Sequence, residues 1–141
     1  MTPHDVDRLD ELVDAARDVR ELAYAPYSNF SVGAAILAGD RVFAGANVEN
    51  ASYGVAICAE RSAVVQMVAS GERTIDAVVV VAAGDGGVVS PCGACRQVLA
   101  EFGAPDVPVV GEHVDGRRKT WTIGELLPAA FSLSHEADTA R

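Results

Sequence analysis

Basic charge is scarce in this chain: 141 residues carry 11 Lys and Arg against 20 Asp and Glu, for a formal net charge of −9 and a pI near 4.6. Binding to duplex or single-stranded nucleic acid draws its affinity mainly from Lys and Arg at phosphates, so a polynucleotide partner is excluded and any nucleic-acid-like substrate should be small. The one dense basic run, Arg117-Arg118-Lys119, lies in a Gly-containing stretch and reads as a solvated hairpin. No uninterrupted apolar run reaches membrane-spanning length, and Met1-Thr2-Pro3-His4-Asp5 lacks a basic segment followed by a long apolar one. The expected location is therefore the cytoplasm, with no membrane partner. Repeats, low-complexity tracts and linkers are also missing.

Cysteine is scarce too. The three present cannot pair completely, and in a reducing compartment such a set is more often metal-binding than disulfide-forming. They stand as Cys58-Ala59-Glu60 and Pro91-Cys92-Gly93-Ala94-Cys95, three thiolates for a metal with a carboxylate beside them. The histidines, His4, His113 and His135, have no ligand-like spacing from any cysteine. His4 and His135 belong to terminal segments and His113 to a loop, so all three read as surface residues. Structural zinc sites close four positions with Cys or His, whereas catalytic ones keep one for water or substrate, so this set reads as an open zinc site.

What is abundant is apolar residue, at 50% against 22% charged, which excludes wholesale disorder. A chain of this size buries about 70% of its unfolded surface, enough for one domain, residues 1–131, followed by a polar tail, 132–141.

Val6, Leu9, Leu12, Val13, Ala16 and Val19 recur with helical spacing behind a Thr2-Pro3 cap. Strands are expected over 30–37 and 41–48, joined as a hairpin at Gly39-Asp40. A second helix runs from Ile57 to Ser70 and stops at Gly71, and Ala77-Val78-Val79-Val80-Val81-Ala82 suits a central strand covered on both faces. A third helix starts at the second cysteine pair and closes at Gly103; strands over 107–110 and 118–121 and a short helix over 122–127, ended by Pro128, complete the pattern. Alternating strands and helices imply an α/β domain with helices on the faces of a sheet.

Two helices start at cysteines, so partial positive charge from unpaired N–H groups falls where thiolates need stabilising. Glu60 is placed to shuttle a proton from a zinc-activated water. Zinc with three thiolates carries a net −1, and Arg61 is the candidate cation beside the ligands to offset it.

Cys-Ala-Glu followed by Pro-Cys-Gly-Ala-Cys-Arg-Gln resembles the zinc-dependent nucleoside deaminases, specifically the small three-cysteine cytidine deaminases. The segments 27–35, 47–54 and 126–131 resemble that family as well, so the likeness covers nearly the whole chain. Cys58 stands where many polynucleotide-editing relatives have His.

The resemblance implies a three-layer α/β/α sandwich with a five-stranded mixed sheet, one Zn2+ per subunit and a homotetramer with shared active sites. It implies hydrolysis of cytidine and 2′-deoxycytidine to the uridines with release of ammonia, as in pyrimidine salvage. Asn47 and Glu49 would hydrogen-bond the ribose, Phe30 line the pyrimidine pocket and Ala59 offer its backbone to the base. Phe131 would stack on the base from an adjacent subunit, with Tyr53 a similar interface residue. Two rivals are a deaminase of a cytosine-containing antibiotic of the blasticidin S type, which lacks the expected Asn47-x-Glu49 form, and a zinc-stabilised module without catalysis.

Overall fold

Alternation along the strands builds two cores. In β1 (Val32–Ala38) and β3 (Ala77–Ala82), Ala34, Ile36, Ala38, Val78 and Val80 meet one face of the sheet, and Ala35, Val79 and Val81 the other. Helix α1 (Pro3–Arg20) covers the second face with Leu12, Val13 and Ala16. The first face is covered by α2 (Ala59–Ala69), α3 (Gly93–Phe102) and the short α4 (Ile123–Leu126), which packs through Ile123 and Leu126. Each fully buried Val, Leu or Ile contributes about 1.5–3 kcal/mol, so the stability is shared between both faces. The computed structural model describes residues 3–133. The Thr2 cap, His135 and most of the 132–141 tail thus lie outside the described residues.

With β2 (Arg41–Ala46), β4 (Pro108–His113) and β5 (Arg118–Thr122), the strands form one sheet in the order β2-β1-β3-β4-β5. It is mixed: β3 and β4 are parallel and the other pairs antiparallel. The expected three-layer α/β/α sandwich with five strands is the observed architecture. Because β1 is antiparallel to both neighbours, β2 and β3 run the same way. Their carboxyl ends open on one edge of the sheet, and the helices that follow them, α2 and α3, both begin there.

The boundaries follow local chemistry. Gly39 takes φ 61 in the β1–β2 turn, and Gly71, at φ 101, follows α2. Strand β2 ends two residues short of the expected Val48, yet Val48 continues the pairing as an isolated bridge to both Tyr24 and Ile57. A 3-10 turn over Tyr53–Val55, which the polar sequence did not announce, lies between β2 and α2. Thr122 and Glu125 form a capping box that starts α4.

Two expectations are corrected. Strand β4 extends to His113, so this histidine lies on a strand rather than in a surface loop. Its ring is 14% exposed, with Nε2 3.1 Å from Gly84 O and Nδ1 accepting from Asp115 N at 3.1 Å. Arg118 does start a hairpin strand, but it is not simply solvated. It donates from Nε to Oε1 of buried Glu112 at 2.8 Å, while Arg17 of α1 donates to Oε2 from Nε at 2.9 Å. Two guanidiniums thus satisfy one buried carboxylate and pin α1 to the β4–β5 hairpin, a long-range pairing that a basic run cannot reveal.

The seat of α2 depends on a missing side chain. A Cβ on Gly45 would lie 2.5 Å from Ala63 N and 2.7 Å from Ser62 Cβ, so the helix rests directly on β2. Ser62 Oγ donates to Ala46 O at 2.9 Å and Gln66 Nε2 to Ala44 O at 2.6 Å, tying the same contact with hydrogen bonds. Gly45→Ala is expected to cost about 1–3 kcal/mol through overpacking against backbone, read as a lower denaturant midpoint at unchanged m-value.

Candidate active site

The two helix starts bring the cysteines together. Cys58 is the N-cap of α2 (φ −76, ψ 157) and Cys92 the N-cap of α3 (φ −67, ψ 166). Cys95 lies one turn into α3 and is fully buried. The three Sγ atoms lie within 4.8 Å of one another, and among the described residues no fourth His, Cys, Asp or Glu joins them. All three are free thiols. Cys58 Sγ and Cys92 Sγ are 3.8 Å apart. Two sulfurs at about 2.3 Å from a tetrahedral zinc would be separated by about 3.8 Å, so the spacing matches an edge of that polyhedron.

Electrostatics favours a cation at this point. The Cys58 thiol is pulled down to about 5, chiefly by a hydrogen bond from Cys95 and then by Arg61 and Cys92, against the opposing effect of burial. Cys95 is pushed up, because it donates to the Cys58 thiolate and is itself buried. Close thiolates repel, so without metal the cluster keeps protons, and a divalent cation replaces them. Arg61 Nη2 donates to Cys58 Sγ at 3.3 Å, and that thiolate in turn raises the pKa of the guanidinium.

Glu60 occupies the first turn of α2 and is 5% exposed. Burial holds its carboxyl above the ordinary value, with the Cys58 charge acting the same way; hydrogen bonds from its own backbone N–H and from Cys95 oppose them. A carboxyl group so placed holds its proton more firmly than an exposed one, a shift in the direction a general acid and base requires.

Beyond the cysteines, Asn47 and Glu49 follow β2 and grip the preceding loop. Asn47 is buried; its Oδ1 accepts from Val32 N and its Nδ2 donates to Phe30 O, both at 2.8 Å. Glu49 Oε1 accepts from Tyr27 N at 2.9 Å and Ser28 N at 3.1 Å, and its Oε2 accepts from the Ser28 hydroxyl. The Ser28 hydroxyl bond leads these in holding the Glu49 carboxyl below its ordinary value. The loop also passes through Asn29 at φ 58, a left-handed conformation that Asn tolerates.

The aromatic candidates are less enclosed. Phe30 is half-buried, while Tyr53 is 80% and Phe131 70% exposed. Tyr53 stacks edge-on against Tyr27 with ring centroids 6.5 Å apart, beside a cavity of about 280 Å³ lined also by Ser28, Glu49, Asn50 and Ala56. Ala59, buried at the first position of α2, places its backbone between Cys58 and Glu60.

A family model described as the cytidine and deoxycytidylate deaminase zinc-binding region matches residues 7–111. The cytidine deaminase of Sporosarcina psychrophila is 45% identical over 134 residues, covering 92% of this chain and 98% of that protein. That of Halalkalibacterium halodurans is 48% identical over 128 residues, covering 90% and 96%. The crystal structure of cytidine deaminase from Burkholderia pseudomallei superposes with a TM-score of 0.82 at 48% identity, covering 93% of this chain and all of that one.

This chain belongs to the cytidine deaminase family. Its Cys58, Cys92 and Cys95 fit one zinc ion per chain, in charge, in spacing and in the matched zinc-binding region. Sequence reasoning missed Tyr27 and Ser28 as partners of Glu49, although both stood inside a segment already quoted for its resemblance. It also missed Arg96 and Gln97, which lie in the Cys-Arg-Gln run but show their partners only in the folded chain.

The clasp on the loop should depend on pH. A carboxylate whose folded pKa is depressed contributes stability above its ordinary pKa and loses it as pH falls through the folded value. The Tyr27 and Ser28 amide resonances are expected to titrate together with a midpoint below 4.5, the ordinary glutamate value. In Glu49→Gln that transition should vanish.

Proposed function

We propose that this protein deaminates cytidine and 2′-deoxycytidine hydrolytically to uridine and 2′-deoxyuridine, releasing ammonia. The observation that carries the reading is buried Glu60, two residues from Cys58, at a three-thiolate cluster with no fourth protein ligand among the described residues. The name shared by relatives at 45% and 48% identity supports the choice of substrate.

Cys58, Cys92 and Cys95 would hold zinc, which would supply the Lewis acidity that makes a water nucleophilic near neutral pH. Glu60 takes one proton from that water and passes it to N3 of the pyrimidine, which makes C4 electrophilic. As the water oxygen bonds to C4, Glu60 carries the second proton to the exocyclic amine. The C4–N bond then breaks, ammonia leaves and C4 keeps a carbonyl oxygen. Arg61 offsets the surplus negative charge of the thiolates.

Asn47 and Glu49 face the ribose in this reading. Beyond the bonds it makes to Phe30 and Val32, Asn47 keeps one N–H and one lone pair for a sugar hydroxyl. Glu49, a carboxylate at the same end of β2, repels phosphate and so favours nucleosides over nucleotides. Phe30 borders the base and Ala59 offers it backbone. Tyr53 and Phe131 reach the site of a neighbouring subunit in a homotetramer, which accounts for two large aromatic side chains exposed to 80% and 70% in the single chain. Residues 1–131 form the single catalytic domain and 132–141 the tail. The protein works in the cytoplasm, in accord with the absence, among the described residues, of a helix long and apolar enough to cross a membrane.

Glu60→Gln is expected to lower kcat by about 10²–10⁴-fold at unchanged zinc content, followed by ammonia release and loss of the cytidine ultraviolet band. Wild-type, zinc-loaded protein inert on both nucleosides would sink the proposal. Chelation should abolish activity, with recovery on adding zinc, while far-ultraviolet circular dichroism shows a folded chain; a non-catalytic zinc module would unfold instead. In a substrate panel, cytidine is expected to exceed both cytidine monophosphate and blasticidin S in kcat/KM.

A further inference from the structure

Arg96, the residue after Cys95, spends its guanidinium on backbone and hydroxyl acceptors rather than on an acid. Its Nε donates to Pro91 O at 2.7 Å, its Nη2 to Ser90 Oγ at 2.9 Å and its Nη1 to Leu126 O at 3.0 Å. Two of these acceptors belong to the residues just before Cys92, and the third is the last residue of α4. The next residue, Gln97, donates from Nε2 to Phe131 O at 3.1 Å. Consecutive side chains on α3 therefore hold the approach to a thiolate at one end and the segment bearing Phe131 at the other.

The approach needs holding. Cys92 is the exposed member of the thiol trio, and as an N-cap it makes no side-chain capping bond that would fix its own rotamer. Its backbone continues directly from the Ser90–Pro91 segment, and Pro91 is fully buried, with its carbonyl accepting from the guanidinium. A guanidinium offers donors in a fixed plane, so three acceptors on it are set relative to one another as well as to α3. A metal ligand must be held to within about 0.5 Å, and groups outside the ligand set commonly supply that precision.

We propose that Arg96 is a positioning residue for the metal: it holds the Ser90–Pro91 segment so that Cys92 Sγ keeps its 3.8 Å spacing from Cys58 Sγ. Through Leu126 the same guanidinium couples this spacing to the segment that carries Phe131. The inference rests on the reading of the three cysteines as zinc ligands and is independent of the substrate.

The test is competition for zinc between the purified full-length protein and a chromogenic chelator, with thermal unfolding of the metal-free forms measured in parallel. Arg96→Gln is expected to weaken zinc binding by about 10–100-fold, and Arg96→Lys, which keeps the charge but not the planar fork, by about tenfold. Ser90→Ala, which removes a single acceptor and serves if the arginine variants fold poorly, is expected to lose zinc severalfold. Gln97→Ala, which frees only the Phe131 carbonyl, should bind zinc as wild type does. A merely stabilising Arg96 would lower the melting temperature and leave the affinity of the folded protein unchanged. Wild-type affinity in Arg96→Lys and Ser90→Ala, or equal loss in Gln97→Ala, overturns the proposal. A wild-type protein that holds zinc yet deaminates no nucleoside defeats the functional reading and leaves this one standing.

Discussion

Everything at this site depends on holding three sulfur atoms closer together than their charges would allow unaided. Two unit charges about 4 Å apart repel by about 4 kcal/mol at the effective dielectric of a protein surface, and a trio of thiolates contains three such pairs. The fold meets that repulsion with direction. The parallel course of β2 and β3 on either side of β1 sends two helices away from one sheet edge, so that two sets of unpaired N–H groups surround the sulfurs. Arg61 adds a full positive charge from the same turn as Glu60. What these groups leave uncompensated, protons or a divalent metal must supply, and the choice between them links metal uptake to pH.

Close packing turns this electrostatic arrangement into a defined geometry. Helix α2 lies on β2 without a side chain at Gly45 to hold it off, and Ala59 and Ala63 keep its inner face narrow. Glu60 is thereby carried into the interior, where loss of water makes its proton harder to remove. The same helix start thus provides a thiol whose charged form is stabilised and, two residues on, a carboxyl whose charged form is penalised by burial. Opposite environments two residues apart suit the division between metal binding and the proton transfer proposed for Glu60.

The loop before β1 illustrates how polar residues at a site carry two duties. Asn47 satisfies the backbone of Phe30 and Val32, and Glu49 that of Tyr27 and Ser28, so each is a structural bond of the loop before it meets any ligand. Groups already ordered by the protein lose little freedom on binding, which suits the ribose recognition proposed for them. The large exposed side chains are different. The exposed Tyr53, Phe131 and Leu133 are apolar surface without cover in the single chain, the kind of surface that the proposed homotetramer would bury.

Much of the protein is legible along the chain because local chemistry decides it. Branched apolar residues at 77–82 suit a covered strand, and a cysteine, a carboxylate and two more cysteines in one chain declare their chemistry through residue type. The family likeness added the sheet's strand count and the pair, Asn47 and Glu49, proposed to face the sugar. Other features required partners far away in sequence. His113 looked like a loop residue because β4 runs three residues past its apolar core, and Arg118 looked solvated because Glu112 and Arg17 meet it only across the folded sheet. Arg96 and Gln97 stood in a quoted motif, yet their acceptors, Leu126 and Phe131, are brought to α3 by the return of the chain through β5. Sequence alone determined which atoms could bind a metal and move a proton, since those are properties of single side chains. Tertiary structure decided which of them stand together and how firmly, since distance and burial exist only after the chain has packed.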